Sequence, residues 1–322
     1  LRRLFLFSQK ISFSVKTRAC RKWAGKEVCK MFGECHGHIF MNGVDYKKAV
    51  SMYAHGVDRE DVKRKLAVYR DRGITFYRDG GDHMGASEYA RSIAPAYGID
   101  YRTPIYAIHK NGHYGQIVGL GFDTMKEYHQ LVLGVKARRG DFIKVMFSGI
   151  MDFDTDGHVT GTPLEREEIR EMIHIAHEEG FRVMAHVNGA RTVQAAVECG
   201  VDSVEHGNFM DEECLQAFVE SSAVWVPTVV TVANLLGSGR FQDCVIERLL
   251  KRQEQNLKRA FRLGIPVALG SDAGAYRVLH GQGIEDEYRV FCRVLGDEVP
   301  DLDARLARAE GKIRELFSRE WK

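Results

Sequence analysis

The stretch FRVMAHVNGARTVQAAVECGVDSVEH, residues 181–206, contains two short apolar segments on either side of one amphipathic segment. Residues 181–186 and 201–206 have the length and apolar content of buried strands, whereas apolar residues recur at helical spacing over 189–199. The stretch therefore predicts a strand–helix–strand unit, which is the connection that parallel strands require. Each predicted strand ends in a histidine, His186 or His206.

The same alternation of strand and helix extends in both directions along the chain. The predicted strands lie at 32–38, 74–79, 103–109, 142–147, 181–186, 201–206, 224–230 and 265–272. The predicted helices lie at 58–72, 84–97, 123–139, 165–179, 189–199, 211–221 and 243–263, with more helix after 283. Thr162, followed by a proline and acidic residues, is the expected N-cap of the fourth of these helices.

Eight strands alternating with helices predict an α/β fold, a (β/α)8 TIM-type barrel whose active site lies at the carboxyl ends of the strands. A doubly wound open sheet is the alternative. It would usually carry a Gly-x-Gly-x-x-Gly loop after its first strand, and that motif is absent there.

Composition excludes several classes of protein. The chain has 322 residues, 44% of them hydrophobic, and a net charge of +2, which indicates neither a nucleic-acid-binding nor a membrane-binding protein. The basic excess is confined to residues 1–30, which hold nine Lys or Arg residues and one acidic residue. We interpret 1–30 as a targeting or degenerate segment and 31–322 as the barrel domain. Seven dispersed cysteines predict a reducing, cytoplasmic location.

The predicted strand ends carry residues that can bind metal. On a strand, residues two apart share a face, so His36 and His38 project into one space. The other candidates fall within or at the end of further strands: Lys144, His186, His206 and Asp272. In a barrel all these ends meet around one axis, and lysine and aspartate are almost never buried there without partners.

Five ordered motifs, CHGH, FIKVMFSG, MAHVNG, SVEHG and GSDAG, resemble those of the amidohydrolase superfamily. Within it, the chain resembles the imidazolonepropionase-related and prolidase-like members, over residues 25 to 300. The resemblance implies two divalent metal ions, with zinc as the first choice and manganese, cobalt and iron as alternatives. It implies that His36, His38 and Asp272 bind one ion, that His186 and His206 bind the other, and that Lys144, carboxylated by CO2, bridges the two.

Such a centre implies hydrolysis of an amide-type bond in a small molecule such as a dipeptide, an N-acyl amino acid or a cyclic amide. Two close metal ions acidify a bridging water, and Asp272 could take its proton and pass it to the leaving amine. A mononuclear deaminase would need no lysine at position 144, and a non-catalytic, ligand-binding barrel would not need all six residues. Both remain alternatives. Homo-oligomerisation is also left open.

Two departures from the family pattern concern the accessory domain and the substrate pocket. The accessory β-sandwich of such enzymes is expected to be missing or partial, because few residues precede His36. Asn188 stands where prolidase-like members carry a tyrosine. Four residues are predicted to face the substrate: His113, Asn188, Tyr276 and His280. Arg78 and Asp79 are expected to pair with each other inside the barrel.

Overall fold

A computed structural model describes residues 31–319 and residue 321. The predicted basic segment 1–30 lies outside these residues. The strands are β1 (Glu34–Gly37), β2 (Phe76–Asp79), β3 (Asp100–Arg102), β4 (Ala107–Lys110), β5 (Gly119–Phe122), β6 (Ile143–Met146), β7 (Val183–Val187), β8 (Ser203–His206) and β9 (Val224–Val226).

Helices follow most of these strands. They are α1 (Tyr46–Tyr53), α2 (Arg59–Asp71), α3 (Ala86–Ile93), α4 (Met125–Ala137), α5 (Arg166–Glu178), α6 (Ala190–Glu198), α7 (Glu212–Val219), α8 (Val230–Ala233), α9 (Asp243–Leu263), α10 (Gln282–Leu295) and α11 (Leu302–Leu316). A 3-10 turn, Ala94–Tyr97, follows α3. None of the helices described by the structure has the length and apolar content needed to cross a membrane.

All pairs between these strands are parallel. They form one sheet in the order β1-β2-β3 and another in the order β5-β4-β6-β7-β8-β9. All residues of β6, β7 and β8 are buried, as expected for parallel strands covered by helices on both faces. None of the described residues forms a separate β-sandwich.

The predicted strand 103–109 was wrong in its extent, because the chain is interrupted between β3 and β4. Pro104 has no N–H to donate to a neighbouring strand, and Ile105 has a left-handed backbone with φ of 71°. Thr103 instead exchanges hydrogen bonds with Asp141 just before β6, at 2.8 Å in each direction. The two sheets are joined at this point. The short strand β5 was not predicted.

The predicted strand 265–272 is also not a regular strand, yet it occupies the position between β9 and β1. Trp225 of β9 donates to the Pro266 carbonyl at 2.9 Å, and Asp272 donates to the His36 carbonyl of β1 at 2.7 Å. Gly270 lies so close to both neighbours that a Cβ there would be 2.5 Å from Val226 Cγ1 and 2.9 Å from the His36 nitrogen. Proline and this close approach prevent a regular ladder while keeping the segment in place.

Most predicted helices agree with the structure to within three residues at each end. The prediction of Thr162 as the N-cap of α5 was wrong. The helix begins at Arg166, four residues after Thr162. The Thr162 carbonyl instead accepts a hydrogen bond from His113. This contact ties the segment before α5 to the loop between β4 and β5.

Candidate functional site

Three candidate ligands meet where β1 and the segment 265–273 run side by side. Asp272 Oδ1 lies 3.6 Å from His36 Nε2 and 3.5 Å from His38 Nε2. One nitrogen or oxygen from each of the three side chains lies within 4.8 Å of the others. Two imidazoles and a carboxylate at this separation form a donor set suited to zinc or a similar divalent ion.

A second pair of imidazoles extends this cluster across the barrel. The ring of His206 lies 5.1 Å from that of His36 and 4.6 Å from that of His186, measured between centroids. His206 Nδ1 is 2.7 Å from Thr228 Oγ1, and His186 Nε2 is 3.1 Å from the Gly149 carbonyl oxygen. The histidines of β1, β7 and β8 therefore form one continuous group.

Lys144 of β6 is the unusual member of the group. Its side chain is only 1% exposed, and its Nζ has no hydrogen-bond partner among the described residues. Burial is the main cause that lowers the pKa values of His36, His38 and His186, and the positive charge of Lys144 lowers them further. A buried ammonium without a partner is costly, which indicates that this lysine is kept for a function.

The backbone is strained at several of these positions. His206, Thr228 and Asp272 have φ values of 67°, 50° and 59°, in the left-handed region that residues other than glycine seldom occupy. Such strain is usually retained where a side chain must point in a particular direction. Close packing adds a second constraint at Gly80, where a Cβ would lie 2.2 Å from His38 Cε1.

Two charged residues buried beneath the histidines were not predicted to interact. Arg78 Nη2 of β2 lies 2.8 Å from Glu205 Oε1 of β8, and both side chains are fully buried. The expected pair of Arg78 with Asp79 was therefore wrong. Asp79 instead accepts hydrogen bonds from the backbone nitrogens of Ile39 and Gly81, both at 3.0 Å.

A tyrosine from the loop between β4 and β5 was also missed. The Tyr114 ring lies 4.9 Å from the His186 ring between centroids and is 39% exposed. The pKa of Tyr114 is raised by desolvation of its hydroxyl, with a further contribution from the Asp272 charge. The hydroxyl thus lies near the cluster. The only sequence signal was its position next to His113 in a Gly-rich loop.

Comparison with known proteins identifies the family of this chain. The sequence model of the amidohydrolase family matches residues 95–297. The chain belongs to the amidohydrolase family. It is thus a hydrolase acting on carbon–nitrogen bonds, and the prediction of family and reaction class is confirmed.

The individual proteins that are similar to this amidohydrolase have low sequence identity to it. An uncharacterized protein of Mycobacterium tuberculosis is 26% identical over 275 residues, covering 80% of this chain and 70% of the relative. The crystal structure of ochratoxinase from A. niger is similar with a TM-score of 0.70 and 20% identity, over 86% of this chain and 69% of that one. A prolidase complexed with N-methylphosphonate-L-proline gives a TM-score of 0.69 and 21% identity, over 89% and 74%. Together with the family match, these similarities confirm the TIM-barrel-type fold.

The protonation of the amidohydrolase cluster suits metal binding. Burial lowers the pKa of both His38 and His186 to about 3, so their imidazoles are neutral at neutral pH. Burial raises the pKa of Asp272 to about 6, and the nearby Lys144 charge opposes that rise. A neutral imidazole and an ionised carboxylate are the forms in which these groups bind cations.

The four residues predicted to face the substrate lie in different surroundings. Asn188 is buried beside His186, 3.4 Å from its Nε2, and its amide also donates to the Gly149 carbonyl and accepts from Asn208. His113 is bonded to the Thr162 carbonyl, and the Tyr276 ring lies 4.6 Å from the Arg240 guanidinium.

His280 lies in the loop that follows the segment 265–273. Its Nε2 is 2.7 Å from the Met41 carbonyl, and its Nδ1 is 3.1 Å from the Tyr69 hydroxyl. Both ring nitrogens are therefore engaged, and in these contacts His280 fixes the loop after β1. Substrate binding by these four residues remains a prediction.

Proposed function

We propose that this amidohydrolase is a binuclear, metal-dependent enzyme that hydrolyses an amide-type bond in a small substrate. Candidate substrates are dipeptides, N-acyl amino acids and cyclic amides, in line with the prolidase and ochratoxinase among the similar structures. One observation carries the proposal: five candidate ligand side chains form one group, and Lys144, whose charge acts on them, is buried with an Nζ that has no hydrogen-bond partner among the described residues.

The residues present fit two divalent ions, with zinc as the first choice. We assign one ion to His36, His38 and Asp272 and the other to His186 and His206. Lys144, as a carbamate, would bridge them, because a carbamate brings oxygen ligands and negative charge where the free ammonium brings repulsion. The pKa of Lys144 is lowered to about 8 by burial, which increases the share of neutral amine that can react with CO2. When bound, the ions supply Lewis acidity for the attacking water and the scissile carbonyl.

Asp272 is the proposed proton carrier. Its carboxylate lies at the edge of the group formed by His36 and His38, and it is the most exposed of the three, at 17% of its side chain. It can therefore be reached by a water molecule. Its carboxylate oxygens could then accept the water proton and return it to the departing amine.

Tyr114 is the proposed hydrogen-bond donor to the substrate carbonyl oxygen. Asn188, which stands at the position of the family tyrosine, uses its amide within the protein. The Tyr114 ring packs against the same histidine from the loop between β4 and β5, and its side chain is partly exposed. A donor aimed at the developing oxyanion stabilises the transition state more than the ground state.

Elemental analysis of the purified chain, together with a panel of dipeptides and N-acyl amino acids, tests the proposal. We expect about two ions per chain and hydrolysis of at least one class on the panel. Lys144→Ala should lose the second ion and most activity, and acetate should restore part of both by occupying the space of the carbamate.

Lys65→Ala is the matched control, because Lys65 is also buried but its Nζ bonds to the Ile39 carbonyl and Asp61, and to none of the five proposed ligand side chains among the described residues. It should retain metal. One ion in both the parent and Lys144→Ala, with equal activity, would favour the mononuclear deaminase-like alternative.

A further inference from the structure

The buried ion pair between Arg78 and Glu205 has an unusually complete set of contacts. Arg78 donates through Nη2 to Glu205 Oε1 at 2.8 Å, through Nη1 to Ser203 Oγ at 2.8 Å and through Nε to the Cys35 carbonyl at 2.7 Å. The ring of Phe317 lies 4.5 Å from the guanidinium carbon. Arg78 thereby links β2, β8 and β1, and its orientation is fixed on all sides.

The two oxygens of Glu205 are used differently. Oε1 accepts from Arg78 and also from Ser203 Oγ at 2.6 Å, so it is fully occupied by donors. Oε2 lies 2.8 Å from His36 Nδ1. An ionised carboxylate can only accept, so His36 Nδ1 must carry the hydrogen.

The other nitrogen of His36 faces the candidate metal site. With the hydrogen on Nδ1, the lone pair of Nε2 is free, and Nε2 is the atom that lies 3.6 Å from Asp272 Oδ1. We propose that Arg78 and Glu205 are positioning residues that hold His36 in the Nδ1–H tautomer, ready to ligate through Nε2 before any metal arrives. The inference rests on the proposed role of His36 as a ligand.

Arg78 is needed because Glu205 lies in a dry interior. A buried carboxylate without a cation is strongly disfavoured, whereas one held by a guanidinium and a hydroxyl is fully satisfied. The bond from Arg78 to the Cys35 carbonyl also fixes the pair relative to β1, the strand that carries His36. Orientation of a metal-bound histidine through its second nitrogen is a general way in which proteins tune a metal site.

Glu205→Gln tests the inference sharply, because the new amide has one acceptor and one donor side. Arg78 and Ser203 both donate to the position of Oε1, so the amide oxygen must face them. Its NH2 group must then face His36 Nδ1, which becomes an acceptor. The hydrogen of His36 would move to Nε2, and that nitrogen could no longer bind a metal.

The first measurement is the tautomer of His36 by 15N NMR of chelator-treated protein with labelled histidine, assigned by comparison with His36→Asn. We expect Nδ1–H in the parent and Nε2–H in Glu205→Gln. The second measurement is zinc affinity by titration, which should fall about 10- to 100-fold in the variant.

Glu287→Gln is the matched control. Glu287 is as deeply buried as Glu205, but it accepts from the backbone nitrogens of Val229 and Val230 and forms no hydrogen bond with a histidine in the described part of the chain. It should leave the His36 tautomer unchanged even if it lowers stability.

The outcomes separate the inference from the proposed function. An Nε2–H tautomer in the parent overturns the positioning role, and this result does not depend on the folding of Glu205→Gln. Unchanged zinc affinity in Glu205→Gln overturns it as well, while binuclear hydrolysis still stands. A parent that binds none of zinc, manganese, cobalt and iron instead refutes the proposed function, and the tautomer still decides whether Glu205 orients His36.

Discussion

Replacing Lys144 by methionine should stabilise the metal-free protein. Lys144 is 1% exposed, and its Nζ makes no hydrogen bond among the described residues, so the substitution breaks no hydrogen bond of the ammonium. The attraction of the ammonium to Glu205 and Asp272 is lost, but burial outweighs it in the pKa of Lys144. Methionine has a similar length and fills the same space with apolar atoms. The gain comes from removing a charge that the folded protein must bury without a partner.

The size and the pH dependence of this gain follow from the pKa of Lys144. Burial lowers it from 10.5 to about 8. At 1.36 kcal/mol per pH unit, this costs the folded parent about 3 kcal/mol wherever the ammonium is charged in both states. Below pH 8 the full cost applies. Between pH 8 and 10.5 the folded state releases the proton before the unfolded state does, so the parent gains stability and the difference from Lys144→Met shrinks.

Urea denaturation of chelator-treated protein in CO2-depleted buffer, at pH 7 and at intervals up to pH 10.5, measures the difference. Lys65→Met is the control, since Lys65 donates to the Ile39 carbonyl at 2.8 Å and pairs with Asp61 at 2.5 Å. Its loss should destabilise the protein by about 1–3 kcal/mol, because two buried acceptors lose a donor. A Lys144→Met variant less stable than the parent at pH 7, or a difference that does not narrow above pH 8, would refute the reasoning.

Two further substitutions probe the geometry of the site. Gly80→Ala would place a Cβ 2.2 Å from His38 Cε1, so the imidazole ring must shift. We expect the metal content to fall and kcat/KM to drop about 10²-fold. The control Gly311→Ala should change neither, because a Cβ at Gly311 would have no atom within 4 Å. Full activity in Gly80→Ala would mean that His38 is not a required ligand. Tyr114→Phe keeps the ring packed on His186 but removes the hydroxyl, so kcat should fall about 10²–10³-fold with unchanged metal content. An unchanged kcat would exclude Tyr114 as the carbonyl donor.

The helices and the buried strands could be predicted from sequence because their signals are local. The pattern of α9 predicts residues 243–263, and the structure has the helix at Asp243–Leu263. Predictions failed where a long-range contact overrides the local pattern. The segment 265–272 has the composition of a strand and lies between β9 and β1. It does not form a regular ladder of hydrogen bonds with them, because it contains Pro266 and because Gly270 lies very close to both neighbouring strands.

The sequence by itself determined the fold class and the candidate ligands. Strand alternation places His36 and His38 on one face, and the five motifs predict the family, because spacing along one element is a property of the local chain.

Only the tertiary structure decided which residues act on one another across the barrel. Arg78 and Glu205 are 127 positions apart in the sequence, and Tyr114 contacts His186 of β7 from the loop between β4 and β5. Contacts of this kind depend on strand register and loop path, which arise from the packing of all the strands together. No local pattern encodes them.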